Sequence, residues 1–141
     1  MDKEKRMEDY SRCDKMKMNE EEKRKIIECS LFLADKGYMK NVGISTITYS
    51  HDGIAFIITF EPNSDISDVF IKFIAENEVF SVGWIACVRN GLQINPYQRL
   101  ENVLMLLSYI RKNYNTIVEI NYCRESNSLI SEFIAKKKNN P

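Results

Sequence analysis

The sequence predicts an α+β domain in which a four-stranded antiparallel sheet packs against about three helices. Three segments place apolar residues at helical spacing, four segments after the first of these alternate apolar with polar residues, and turn-forming residues separate those four. Consecutive strands joined by tight turns form an antiparallel meander. The predicted order is α-β-β-β-β-α-(β)-α, where the strand in parentheses is a short fifth strand over residues 116–120.

Length and composition predict one packed domain. Of the 141 residues, 44% are hydrophobic, which is enough to build a packed core. The chain is long enough for one domain and too short for two. Residues 1–18 are rich in charge and carry no apolar stripe, so we expect a charged, mobile N-terminal tail there. The domain itself is expected over residues 19–138, followed by a tail over 139–141.

The first helix is predicted over residues 20–36. Asn19 is a suitable N-cap, and Glu22 stands three residues later, where it completes a capping box. Gly37 follows the last helical residue, which is typical of a left-handed helix end.

Four strands are predicted over residues 42–50, 54–61, 68–75 and 79–89. The Asp52-Gly53 pair between the first two indicates a tight hairpin. In the second strand, one face carries Ile54, Phe56, Ile58 and Phe60, while the other carries the less apolar set Ala55, Ile57, Thr59 and Glu61. The sheet should therefore be covered mainly on one side. In the fourth strand, one face would carry Phe80, Val82, Trp84, Ala86 and Val88.

The remaining helices follow the sheet. Asn95 and Pro96 indicate the cap and first residue of a helix that ends near Asn113. Its core face is predicted to consist of Leu100, Val103, Leu104, Leu107 and Ile110. A last helix is predicted over residues 122–137.

The charge distribution argues against nucleic acid as a partner. The formal net charge is zero, yet residues 19–135 contain 11 Lys and Arg against 15 Asp and Glu. Binding to phosphates needs a concentrated positive surface, which an acidic body does not supply. The run Lys136-Lys137-Lys138 is more typical of a solvated helix end, because cations suit helix C-termini.

The residue types that carry most chemistry are sparse. His51, the single histidine, falls in the predicted hairpin turn. The cysteines are Cys13, Cys29, Cys87 and Cys123, and the absence of a close pair among them disfavours a zinc site. Cys123 lies near a predicted helix start and is therefore the best candidate for a reactive thiol. Scattered glycines form no phosphate loop. We expect no cofactor and no metal, and free thiols without a signal peptide or membrane span predict a cytoplasmic protein.

The most informative cluster is acidic. Five carboxylates stand against the single cation Lys72 between residues 61 and 78: Glu61, Asp65, Asp68, Glu76 and Glu78. They fit a docking site for a basic protein surface, a cation or acid–base site at Asp65 and Asp68, or ordinary solubilising charges. Trp84 fits either the core or a partner-facing anchor.

The chain resembles small bacterial immunity proteins that are encoded beside polymorphic toxins. The likeness rests on the predicted element order, on the acidic body and on the run VGWIACVRNGLQINPYQRLENVLMLLSYIRKNY. The resemblance covers about residues 20–135. It implies a non-enzymatic protein that binds a cognate toxin and blocks its active site. The resemblance identifies no contact residues; the density of carboxylates and the single tryptophan make these the candidate contacts: Glu61, Asp65, Asp68, Glu76, Glu78 and Trp84.

Two other functions fit the sequence. A small enzyme would use carboxylates such as Asp65, Asp68 or Glu78, provided that two of them converge in a pocket. A scaffold subunit would form a homo-oligomer through an exposed face of the sheet. Neither membrane nor nucleic acid is expected as a partner under any of the three hypotheses.

Overall fold

The fold is an α+β arrangement with a five-stranded antiparallel meander. The fold class is the one that the sequence predicts. The computed structural model describes residues 17–60 and 66–139. The strands are β1 (Met39–Val42), β2 (Thr46–His51), β3 (Ile54–Phe60), β4 (Ser67–Phe73) and β5 (Glu78–Ser81), in that spatial order. The helices are α1 (Glu20–Cys29), α2 (Leu31–Asp35), α3 (Val82–Asn90), α4 (Arg99–Lys112), α5 (Tyr114–Ile117) and α6 (Ile120–Asn139).

The predicted first helix is present but interrupted. The capping box forms as expected, because the Glu22 amide donates to Asn19 Oδ1 at 2.8 Å and the Asn19 amide donates to Glu22 Oε1 at 2.9 Å. Buried Ser30 breaks the helix between α1 and α2, and its hydroxyl donates to the carbonyl oxygen of Ile26 at 2.6 Å. Met18, placed in the tail by sequence, is buried, and its amide donates to the Ile44 carbonyl oxygen.

Strands β3 and β4 lie close to their predicted positions, whereas the strand predicted over 42–50 begins only at Thr46, because residues 43–45 form the turn between β1 and β2. Asp52 and Gly53 both have positive φ, 46° and 77°, which is the backbone of a tight two-residue hairpin turn. β1 is an additional strand that the sequence analysis did not assign, and it pairs with β2 from Met39↔Ser50 to Val42↔Ile47.

The predicted strand over 79–89 is wrong beyond Ser81, because the chain turns into helix α3. The Ser81 hydroxyl caps that helix by accepting from the Trp84 amide at 3.1 Å. Gly91 ends it in the left-handed conformation at φ 65°, so Asn90-Gly91 is a helix end and not a strand turn.

Two later boundaries also differ from the prediction. α4 begins at Arg99, and not at Pro96, because the Pro96 carbonyl accepts from the Ser67 amide and residues 95–98 form a turn. The optional strand over 116–120 is wrong, since those residues belong to α5, a short connection and the start of α6.

One face of the sheet packs beneath the helices and forms the core. α4 lies against β4 and contributes fully buried side chains to this core: Val103, Leu106, Leu107 and Ile110. Opposite them, the sheet contributes its own buried set: Ile47, Phe56, Ile58, Val69 and Ile71. The predicted packing of one sheet face against helices is thus confirmed within the described residues.

Candidate protein-docking surface

The other face of the sheet carries the side chains that alternate with the core residues, and we call it the open face. Its residues follow from the pairing register: Met39, Asn41, Thr46, Thr48, Ser50, Ala55, Ile57, Thr59, Asp68, Phe70, Lys72, Val79 and Ser81. Residues directly opposite one another in antiparallel strands lie on the same face. The open face therefore extends across all five strands.

The centre of the open face is apolar. Ile57 on β3 lies directly opposite Phe70 on β4, and neither belongs to the hydrophobic core or to the partly buried residues packed against it. Both side chains are partly exposed. A β-branched residue opposite an aromatic one is a favourable cross-strand pair, so the two side chains form a compact apolar centre.

Hydroxyl groups surround this centre. Thr48 lies opposite Ile57, and Ser81 lies opposite Phe70 in the same row. In the adjacent row, the Oγ1 atoms of Thr46 and Thr59 are 3.3 Å apart. The open face therefore combines an apolar centre with a border of short polar side chains.

Asp68, a predicted contact residue, holds the end of the sheet together. Its Oδ2 accepts from the Ser81 hydroxyl at 2.5 Å, and its Oδ1 accepts from the Gly83 amide at 3.1 Å. A negative charge suits the N-terminus of α3. A Cβ at Gly83 would stand 2.9 Å from Asp68 Oδ1, so the glycine permits this close approach.

The other acidic candidates lie at the far end of the strands. Glu76 is exposed in the β4–β5 turn, and Glu78 accepts from Arg124 Nε and Nη2 at 2.8 and 3.3 Å. Glu78 pairs with Phe73, five residues beyond Asp68, which corresponds to about 17 Å along the strand. These carboxylates therefore do not gather in one pocket.

Glu61 and Asp65 lie outside the described residues. By chain order, they belong to the connection between Phe60 and Ser67, two residues that pair at the end of β3 and β4.

Trp84 lies on α3 and not on a sheet face, so the strand position predicted for it is wrong. It is 38% exposed, and its ring meets Phe133 of α6 edge to face, with centroids 6.1 Å apart. Its role as a partner contact stays a prediction, on a surface separate from the open face.

The histidine and the thiols are placed apart from one another. His51 Nε2 is 3.2 Å from Asp52 Oδ2 at the hairpin turn, and its ring lies beside that of Tyr38, tilted by 54° with the centroids 5.3 Å apart. Cys123 is buried with Sγ 3.2 Å from the Ile117 carbonyl oxygen, and burial raises the pKa of this thiol to about 12. A raised pKa disfavours the thiolate, so Cys123 is poorly suited to act as a nucleophile.

Metal-ligand clusters and membrane-spanning helices are both absent from the described residues. Among residues 17–60 and 66–139, no three His, Cys, Asp or Glu side chains lie close enough together to hold a metal ion. None of the helices in the same part of the chain is both long and apolar enough to cross a bilayer. The Lys136–Lys138 run forms the last turn of α6, as predicted.

Sequence reasoning missed Phe70 as a surface residue and identified only the β3 residues of the open face. The alternation of side chains in β3 places Ile57 and Thr59 on the face opposite to the core, and this is the sequence signal that indicates the open face. Comparison of the chain with protein-family models, with characterised proteins and with solved structures found no match. Function must therefore be inferred from the surface itself.

Proposed function

We propose that this chain is a non-enzymatic protein-binding domain that acts as an immunity protein and neutralises a cognate bacterial toxin through the open face. The observation that carries the proposal is the Ile57–Phe70 pair, which stands outside the core at the middle of a five-stranded sheet. Apolar side chains that the fold leaves partly exposed are available to a partner.

The make-up of the open face suits a protein contact. Interfaces commonly have an apolar, aromatic centre that carries most of the binding energy and a polar surround that excludes water. Here Phe70 and Ile57 supply the centre, and Thr48, Thr59 and Ser81 supply the polar surround. Because the strands are fixed by their ladders, little conformational entropy is lost when a partner binds.

Acidic residues at the ends of the sheet favour a partner with a basic surface. Asp68 stands at one end and exposed Glu76 at the other, and the sequence adds Glu61 and Asp65 in the β3–β4 connection. Acidic groups at the margins of a contact speed association with a basic surface and disfavour acidic partners. We therefore expect a toxin whose binding surface is basic at its periphery.

Co-expression with the toxin encoded beside this gene tests the proposal. The wild-type chain should restore growth, and Ile57→Lys should abolish protection, because it adds a cation at the apolar centre. Thr116→Lys adds the same charge at an exposed position on α5 and should protect as well as wild type. Thermal unfolding of each purified variant verifies that the fold is intact.

Two results would contradict the proposal. The first is unchanged toxicity when the wild-type chain is present. The second is full protection by a folded Ile57→Lys variant, which would place the contact elsewhere, with the exposed Trp84 surface as the next to test.

A further inference from the structure

Lys72 is a cation on the open face that the proposed function leaves unused. It lies on β4, directly opposite Ala55 on β3 and Val79 on β5. The neighbouring row across the sheet holds Ile57 and Phe70. Along β4, Lys72 is two residues beyond Phe70, which corresponds to about 7 Å. Lys72 therefore borders the apolar centre of the open face.

Lys72 forms no ion pair with any of the described residues. Two carboxylates flank it on β4 and β5, and both have contacts of their own. Glu78 pairs with Arg124 at 2.8 Å, and Asp68 accepts from the Ser81 hydroxyl at 2.5 Å. Within the described part of the chain, the charge of Lys72 is therefore stabilised by hydration alone.

The low exposure of Ala55 indicates where the stem of Lys72 lies. Ala55 is only 6% exposed, although it belongs to the open face. Its two cross-strand neighbours are Ser50 and Lys72, and the methylene stem of Lys72 is the larger of the two side chains. Lysine stems commonly lie along apolar surface while the ammonium group reaches water. A partner that covers Ile57 and Phe70 would therefore cover this stem as well and remove water from its ammonium group.

We propose that the toxin places a carboxylate against Lys72 and that this ion pair determines which toxin the chain accepts. This inference rests on the proposed function, because it concerns the same surface. A charge that loses its water without gaining a partner opposes binding. A carboxylate replaces the lost hydration of the ammonium group, so a toxin that carries one is favoured over a toxin that does not.

The order of charges along β4 and its turn specifies the complementary surface. Asp68, Lys72 and Glu76 follow one another in the chain, so the cation lies between two carboxylates. Phe70 lies between Asp68 and Lys72. The matching toxin surface is therefore basic at its margin and carries one aspartate or glutamate beside its apolar centre. A toxin with a lysine or arginine at that point would be rejected, because like charges would meet.

Binding of the purified toxin encoded beside this gene to Lys72→Met tests the inference. Methionine keeps an unbranched stem and removes the charge. The variant should bind about tenfold more weakly than wild type, because the toxin carboxylate then loses water without gaining a cation. Lys112→Met, the same change at an exposed position on α4, is the matched control and should bind like wild type. Thermal unfolding verifies that both variants are folded.

Charge reversal on both proteins identifies the opposing residue. Lys72→Glu should bind about a hundredfold more weakly than wild type, since two carboxylates then meet. Each Asp and Glu of the toxin is replaced by Lys, one at a time, and each toxin variant is measured against both chains. One toxin variant should bind the wild-type chain poorly and Lys72→Glu with near the original strength.

Three results would overturn the inference. The first is a folded Lys72→Met variant that binds the toxin as tightly as wild type or more tightly, because the cation would then be an ordinary solvated charge. The second is that no toxin substitution restores binding to Lys72→Glu. Both leave the proposed function intact, provided that wild type binds and Ile57→Lys does not. The third, a wild-type chain that does not bind the toxin, would overturn the proposed function as well.

Discussion

The two faces of the sheet are built from the same strands but have different roles. On the core face, Phe56 and Ile58 are fully buried beneath the helices. On the open face, Ile57 stands between them in sequence and remains outside the core. Because side chains alternate along a strand, one β-strand can stabilise the fold on one side and offer a binding surface on the other. The following experiments test this division.

The largest expected effect comes from matched phenylalanine truncations. Phe56→Ala should lower the free energy of unfolding by about 3–5 kcal/mol, because it leaves a cavity in the core. Phe70→Ala should lower it by only about 1 kcal/mol, since the loss is a cross-strand contact. Urea denaturation of both variants measures the difference, and equal losses would show that the open face is part of the core.

Asp68 is the exception on the open face, because its carboxylate holds Ser81 and the start of α3. Asp68→Ala should destabilise the protein by about 1–3 kcal/mol, since the Gly83 amide and the Ser81 hydroxyl lose their acceptor. Glu76→Ala, at an exposed turn, is the control and should change stability by less than about 0.5 kcal/mol. Equal urea midpoints for the two variants would mean that the Asp68 contacts do not stabilise the fold.

Alkylation of the cysteines tests the same difference between buried and exposed side chains outside the sheet. Cys123 should resist iodoacetamide at pH 8 in the folded protein, because burial raises its thiol pKa to about 12 and keeps it protonated. Cys29 is exposed and should be modified readily. Peptide mass spectrometry reads each site separately, and denaturant should expose Cys123. Rapid labelling of Cys123 without denaturant would contradict the described packing of α6.

The smallest effect on stability is expected from Thr48→Arg. Thr48 is partly exposed on the open face, so the variant should unfold within about 0.5 kcal/mol of wild type. The same variant should bind the toxin poorly, because a bulky cation would stand beside Ile57. A stability loss above about 2 kcal/mol would show that the position has no room for a larger side chain.

The core face and the hairpins were predictable from sequence because their causes are local. Alternation within residues 54–60 separates the faces of β3, and Asp52-Gly53 supplies the positive φ values of the turn. The capping box of α1 lies within four residues. Each of these signals acts between near neighbours in the chain.

Helix α3 could not be predicted in the same way, because one of the contacts that stabilise it involves a residue far away in the sequence. The run from Phe80 to Val88 fits a strand period, yet Val82, Ile85 and Ala86 also fit one helical face, and apolar runs of this length satisfy both patterns. The contact that favours the helix is with Asp68, 15 residues earlier on another strand. β1 was missed for a different reason: its pairing with β2 is local, but its own apolar pattern is weak.

The docking surface was only partly predictable. Sequence indicated which residues of β3 leave the core, but the partner strand that brings Phe70 beside Ile57 depends on the register of β4. The acidic candidates were chosen by their density in sequence. The sheet instead separates Asp68 from Glu76 and Glu78 by the length of β4.

Methyl NMR of the chain bound to its toxin tests the docking surface most directly. The methyl signals of Ile57, Thr48 and Thr59 on the open face should shift or broaden on binding, while those of Ile47, Ile58 and Ile71 on the core face should stay in place. Perturbations confined to methyl groups away from the sheet, with Ile57 unchanged in a saturated complex, would contradict the assignment of the open face as the binding surface.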